Sequence, residues 1–252
     1  YKRQPKDEKQ LLNQGIDISN IERTNGKCFH WSGTYDKNFD TRKTNFTHLN
    51  VLENFNPIVS AKFRNPKHLF LGNIDPDIQL SVLKQLKTRP KIVALDTMNY
   101  WIETKNQSLL KVIANTDVLF LDSSETRMLG KQSTLIESAK KILNYGPSCI
   151  VVKRGEHGAF LVSNNDLFST PAYPTDQLVD PTGAGDSFAA GFMGYLASIN
   201  TLDNLDFRKA TVMGCVMGSF AIEDFGPSVH TKLTQSDILK RYETIKNMSN
   251  LI

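Results

Sequence analysis

Two periodicities divide the chain. Between Lys27 and Val51, Phe29, Trp31 and Tyr35 alternate with His30, Ser32 and Thr34, a period of two that predicts a β-strand. The turn Asp36-Lys37-Asn38-Phe39-Asp40 leads into a second strand over Thr44 to Val51. Both faces mix large and polar residues, which suits a ribbon projecting from a main body; an ordinary edge hairpin is the alternative. After Phe63 short apolar runs alternate with amphipathic ones. The spacing predicts strands at His68–Gly72, Lys91–Leu95, Asp117–Leu121, Cys149–Lys153 and Ala159–Val162. It predicts helices over Pro76–Lys87, ending at Leu109–Asn115, and over Leu135–Asn144. Alternating strands and helices imply a parallel sheet with right-handed crossovers, whose ligands bind beyond the carboxyl ends of the strands.

Composition narrows this little. The chain has 252 residues, 40% hydrophobic and 22% charged, which suits one α/β domain with a small addition. The net charge of +4 is spread out, and the basic stretches (Lys2-Arg3 with Lys6, and Lys140-Lys141) are short, so no nucleic-acid partner is indicated. Cys28, Cys149 and Cys215 lack Cys-x-x-Cys spacing, and the last two sit in apolar runs, as buried thiols of a reducing compartment do. No apolar run approaches a membrane span and no signal peptide opens the chain, so a cytoplasmic protein without a membrane partner is expected.

The candidate chemistry centres on Asp180-Pro181-Thr182-Gly183-Ala184-Gly185-Asp186-Ser187-Phe188-Ala189-Ala190-Gly191, a glycine turn running into a helix. Glycines let successive N–H groups converge, and the helix dipole adds partial positive charge there. Asp186 lies at the rim, where a carboxylate is a poor neighbour for a phosphate but a good base. A P-loop needs Lys-Ser/Thr after its last glycine, and Asp186-Ser187 stands there instead. A dinucleotide fingerprint needs a buried strand before the glycines; here the proline-broken Pro171 to Gln177 precedes them, and Phe188 takes the third-glycine position. The plain alternative is a tight turn with Asp186 complementing the helix dipole.

The whole stretch from Asp180 to Gly191 resembles the C-terminal signature of the ribokinase-like (PfkB-type) carbohydrate kinases, and the resemblance runs from about Leu11 to the last helix. It implies a ribokinase-like three-layer α/β fold with a central, mainly parallel sheet and a small β-ribbon lid. The expected division is a kinase core at 1–26 and 53–252 and a lid at 27–52. The family's early sugar-binding aspartate and Gly-Gly-Asn segment are not found, so the chain reads as N-terminally incomplete, lacking the first βαβ portion.

By the same resemblance Asp186 is the general base and Gly183, Ala184 and Gly185 form the anion hole, for transfer of the γ-phosphoryl group of ATP to a hydroxyl of a small sugar. A nucleoside kinase, or a non-catalytic nucleotide-binding regulatory protein on the same fold, are the alternatives. Asp122-Ser123-Ser124-Glu125 reads by spacing as a capping box. The family carries Asn-x-x-Glu there to hold Mg²⁺ through water, and this chain has Asp122 in place of Asn. Lys153-Arg154-Gly155-Glu156-His157-Gly158 resembles the strand-turn-strand along the nucleotide, with Lys153 able to reach a phosphate and Gly155 and Gly158 permitting close approach; a plain hairpin turn is the alternative, with His157 a turn residue. Met213 and Met217 are candidates for the floor of an adenine pocket or for core packing, and Gly226 belongs to the closing loop near adenine. Asp180 and Ser228 are candidate ligands of a monovalent cation such as K⁺. Asp96 and Asn99 resemble a segment facing phosphates or substrate, without its arginine. Trp31 is a lid candidate over the substrate, and the ribbon's aromatic row is a candidate homodimer interface.

Overall fold

The computed structural model describes residues 5–36, 42–200 and 202–248. The predicted turn at 36–40 therefore lies, from residue 37 on, outside the described residues. By contacts the chain divides into two units, 1–64 with 81–87 and 65–80 with 88–252, so that residues 1–26 group with the ribbon.

In the first unit, helix α1 (Pro5–Asn13) ends at Gly15, whose φ of 76° suits a residue without Cβ. The Gly15 and Ile16 amides donate back to the Leu12 and Leu11 carbonyls, which closes the helix. Arg23 pairs with Glu8 at 2.9 Å and Lys62 with Asp17. Strands β1 (His30–Tyr35) and β2 (Arg42–His48) form the antiparallel ribbon. Its register shifts between Ser32 and Gly33, leaving Asn45 as the extra residue, and the Asn45 amide donates to Ser32 Oγ (3.3 Å) and Thr34 Oγ1 (3.0 Å). Only part of the expected aromatic row, Trp31 and Tyr35, lies within β1. Trp31 lies across Gly33, where any side chain would collide with the indole, and its Nε1 donates to Thr44 Oγ1 at 3.2 Å. Phe29 precedes the strand and is exposed, while His30, Phe46 and His48 cluster together, with the His30 and Phe46 rings 5.0 Å apart.

The second unit is built on a six-stranded sheet. Its elements run β3 (His68–Leu71), α2 (Pro76–Gln85, shared by both units), β4 (Ile92–Asp96), α3 (Asn99–Thr104), α4 (Asn106–Ile113) and β5 (Val118–Asp122). There follow α5 (Ser123–Gly130), α6 (Leu135–Leu143), β6 (Cys149–Lys153), β7 (Ala159–Ser163), β8 (Leu167–Thr170), α7 (Ala184–Ser198), α8 (Asn204–Ala221) and α9 (Gln235–Met248). The order is β3-β4-β5-β6-β7-β8; the first four strands are parallel, and β7 and β8 add antiparallel. Strand β8 is the strand of this sheet that periodicity missed, because Leu167-Phe168-Ser169-Thr170 is short, half exposed and directly followed by proline.

The four-residue apolar runs of β4, β5 and β6 are buried on both faces, as a covered parallel sheet requires. Ile92, Ala94, Val118, Phe120 and Val151 point to one face and pack with Phe188, Phe192 and Leu196 of α7, Val216 and Phe220 of α8, and Ile245 of α9. The alternate residues point to the other face, where α6 lies on β6 and β7. Small residues bring α7 and α8 close: a Cβ on Gly191 would meet the Met213 carbonyl at 2.7 Å, and one on Gly214 would meet the Phe188 ring at 2.7 Å. Among the described residues, no helix is long and apolar enough to cross a membrane.

Candidate active site

Each of the three central strands ends on a charged residue. Asp96 closes β4, Asp122 closes β5 and Lys153 closes β6. Asp122 and Lys153 are register partners on neighbouring strands, but the lysine reaches past β5 to Asp96, Nζ to Oδ1 3.0 Å. Asp96 is fixed at its backbone too, since Gln79 Nε2 donates to its carbonyl (3.4 Å) and to that of Gly72 (2.7 Å). Burial works to lower the Lys153 pKa, yet Asp96, Glu125 and Asp122 together raise it, so the ammonium stays charged.

The amine also stands against the glycine turn, 3.1 Å from where a Gly185 Cβ would lie. That turn begins at Gly183, the N-cap of α7, with a φ of 87°. Its carbonyl accepts from the Ser187 amide at 2.9 Å, and the Ala184 amide turns back to the Pro181 carbonyl at 3.2 Å. Among the described residues, the Gly183, Gly185 and Asp186 amides have no backbone acceptor. The open donors are thus Gly183, Gly185 and Asp186, whereas the sequence reading placed the middle one at Ala184; the turn consumes that N–H. Asp186 sits in the first turn of α7 with its residue surface exposed, so a ligand can reach it. Partial desolvation and the Asp96 charge nonetheless raise its carboxyl pKa, with Lys153 opposing.

Asp122 and Glu125 form the capping box of α5: Glu125 N donates to Asp122 Oδ1 at 2.8 Å, and Asp122 N to Glu125 Oε2 at 2.7 Å. Burial, and then the Asp122 charge, push the Glu125 carboxyl up to about 7, against the Asp122 amide and Lys153. Asp96, Lys153, Glu125 and Asp186 thus share one electrostatic neighbourhood at the carboxyl end of the sheet.

The other expected residues fall differently. Gly155 has a φ of 55° and open space around it, but Gly158 is buried, and a side chain there would run into the Thr170 carbonyl. Its lack of Cβ therefore serves the approach of β8. His157 is an exposed turn residue 3.8 Å from Glu156. Met213 and Met217 pack against the core, with Met217 filling the space that Gly191 leaves. Gly226, with φ 70°, opens the 3-10 turn Gly226–Thr231. Asp180 Oδ1 accepts from the Thr182 amide at 2.9 Å, and Ser228 Oγ donates to Asp224 Oδ2 at 3.1 Å, so each candidate cation ligand is engaged within its own loop. Asn99 begins α3 with a buried, unpaired Oδ1, as Thr97 has a buried, unpaired Oγ1. Trp31 belongs to the other unit.

The profile of the pfkB family carbohydrate kinases matches residues 8–232, and the chain belongs to that family. It is 27% identical over 196 residues to a cytidine kinase of Thermococcus kodakarensis, covering 76% of this chain and 69% of that one. It is 24% identical over 169 residues to a nucleoside kinase of Methanocaldococcus jannaschii, covering 64% and 51%. The chain spans about half to two thirds of the length of these curated relatives. The crystal structure of the Methanocaldococcus jannaschii nucleoside kinase, described as an archaeal member of the ribokinase family, superposes with a TM-score of 0.73 at 21% identity, covering 94% of this chain and 76% of that one. The crystal structure of a ribokinase from Thermotoga maritima gives 0.71 at 18%, covering 96% and 78%. The fold is therefore ribokinase-like, with a central mixed sheet.

Proposed function

We propose that this chain carries the phosphoryl-transfer site of an ATP-dependent kinase whose acceptor is a hydroxyl of a nucleoside. The observation that carries the reading is the placement of Asp186, a reachable carboxylate with a raised pKa, beside open helix-start amides and the Lys153 ammonium. Asp186 takes the proton from the attacking hydroxyl. The Gly183, Gly185 and Asp186 amides and Lys153 meet the negative charge that shifts within the transferring phosphoryl group and onto the departing ADP.

The residues present fit a hydrated magnesium ion rather than a direct cage. Among the described residues no group of three His, Cys, Asp or Glu side chains converges on one point. The capping box engages only one oxygen of Asp122 and one of Glu125, leaving Asp122 Oδ2 and Glu125 Oε1 to accept from the ion's waters. Bound there, magnesium supplies neutralisation of the nucleotide phosphates. A monovalent cation at Asp180 and Ser228 requires both side chains to leave their loop partners.

The relatives named as cytidine and nucleoside kinases support a nucleoside acceptor. A sugar is the second reading, favoured by the family's description as carbohydrate kinases. The test is MgATP turnover with a panel of cytidine, uridine, inosine, ribose and fructose, repeated in Asp186→Asn. The substitution should lower kcat by roughly two to four orders of magnitude and leave ATP binding nearly unchanged. Near-normal turnover overturns the base assignment, and turnover with the sugars alone overturns the nucleoside.

A further inference from the structure

Between β8 and α7 the chain runs from Pro171 to Gly183 without helix or strand, so its path depends on what holds it. Arg241 of α9 sits at the root of that support. Its guanidinium carbon lies 3.7 Å from the Phe220 ring centroid and 4.3 Å from that of Tyr173. Nη1 donates to Ser219 Oγ at 2.9 Å and Nη2 to Glu223 Oε2 at 2.6 Å. Each side chain of the Arg241–Glu223 pair is only 14% exposed. The other carboxylate oxygen, Glu223 Oε1, accepts from the Thr175 hydroxyl at 2.8 Å, and Thr175 Oγ1 accepts from the Gln177 amide at 3.1 Å.

From there the segment is carried to the site by short steps. The Val179 and Asp180 amides donate to the Ile222 carbonyl, at 2.8 and 3.2 Å, next to Glu223 at the end of α8. The Thr182 amide then closes on Asp180 Oδ1, and Gly183 follows. Arg241 is suited to this place because one planar fork binds two acceptors while its faces meet aromatic rings. A lysine would retain the charge and lose that geometry.

We propose that Arg241 is a positioning residue for the phosphoryl-binding amides. Through Glu223 and Thr175 it holds segment 173–182, whose far end sets the directions of the Gly183, Gly185 and Asp186 N–H groups. The inference builds on the phosphoryl-transfer reading above, and its test separates the two.

The measurement is hydrogen exchange by mass spectrometry on the full 252-residue chain, together with affinity for Mg·AMP-PNP. In Arg241→Met the peptide spanning 175–186 should exchange about tenfold faster while the β4, β5 and β6 peptides keep wild-type protection. Mg·AMP-PNP should bind about tenfold more weakly, because the amides are no longer pre-organised. Arg241→Lys should recover part of both effects. Thr175→Val removes the link to Glu223 and the acceptor of the Gln177 amide, leaves the buried pair intact, and should loosen the same peptide beyond residue 177 by a smaller factor. An unchanged 175–186 peptide in both Arg241→Met and Thr175→Val overturns the proposal. So does a loosened peptide with unchanged Mg·AMP-PNP affinity. A wild-type chain that fails to bind Mg·AMP-PNP overturns the phosphoryl-transfer reading, and the amides then have no phosphate to be positioned for; the exchange result alone decides whether Arg241 holds the segment.

Discussion

Lys153 Nζ stands 3.0 Å from Asp96 Oδ1 and against the backbone of Gly185, so one ammonium joins the carboxyl end of β4 to the first turn of α7. Asp122, Glu125 and Asp186 lie within its electrostatic reach or that of Asp96. Carboxylates therefore outnumber the cation around a site that would receive further negative charge from a nucleotide. A hydrated divalent ion fits that imbalance.

Removing the ammonium should cost stability. Lys153→Met leaves Asp96, only 6% exposed, without its counter-charge among other carboxylates, and should destabilise the fold by roughly 3–5 kcal/mol. Adding Asp96→Asn to that variant should recover much of the loss. Urea unfolding of both single variants and the double variant measures this; a Lys153→Met protein as stable as wild type means the pair is not buried as described.

Glu125 makes stability fall with pH. Its folded carboxyl titrates at about 7 against an ordinary value of 4.5, so between those values the folded state holds a proton that the unfolded state has released. Stability should decline over that window by something on the order of 3 kcal/mol, less what the other groups contribute. Glu125→Gln keeps an acceptor for the Asp122 amide and removes the titration. Its unfolding midpoint should match wild type near pH 4.5 and exceed it at pH 7.5, and parallel pH profiles would refute the assignment.

Two glycines in one turn should respond differently to alanine. Gly155 has φ 55° with nothing within 4 Å, so Gly155→Ala costs only the left-handed backbone, roughly 1–2 kcal/mol. Gly158→Ala adds a collision with the Thr170 and Pro171 backbone and should cost more than about 4 kcal/mol. Thermal melts compare them directly, and equal losses would show that β8 does not pack as described.

Burial pushes the Cys149 thiol well up and the Cys215 thiol up to about 12, while Cys28 is half-buried in the other unit. Titration with a thiol reagent should modify Cys28 in the native protein and the other two only on unfolding. Rapid native labelling of three thiols would contradict the packing around α8 and β6.

The sequence alone determined the parts that depend on neighbours in the chain. The apolar runs of β4, β5 and β6, the capping box at Asp122 and Glu125 and the helix start at Gly183 follow from local period and backbone preference. So did the signature at Asp180 to Gly191 that marked the family. Tertiary structure decided where charges and rings meet. Asp96 and Lys153 are 57 positions apart, and only the strand order puts β4 and β6 on either side of β5, within reach of one lysine side chain. The clustering of His30 with Phe46 and His48 across the ribbon, and the approach of Thr170 that gives Gly158 its task, both depend on a second strand. Arg241 carried no readable signal: an arginine in a polar helix is ordinarily solvated, and its burial against Phe220 and Tyr173 exists only once α9 folds onto α8.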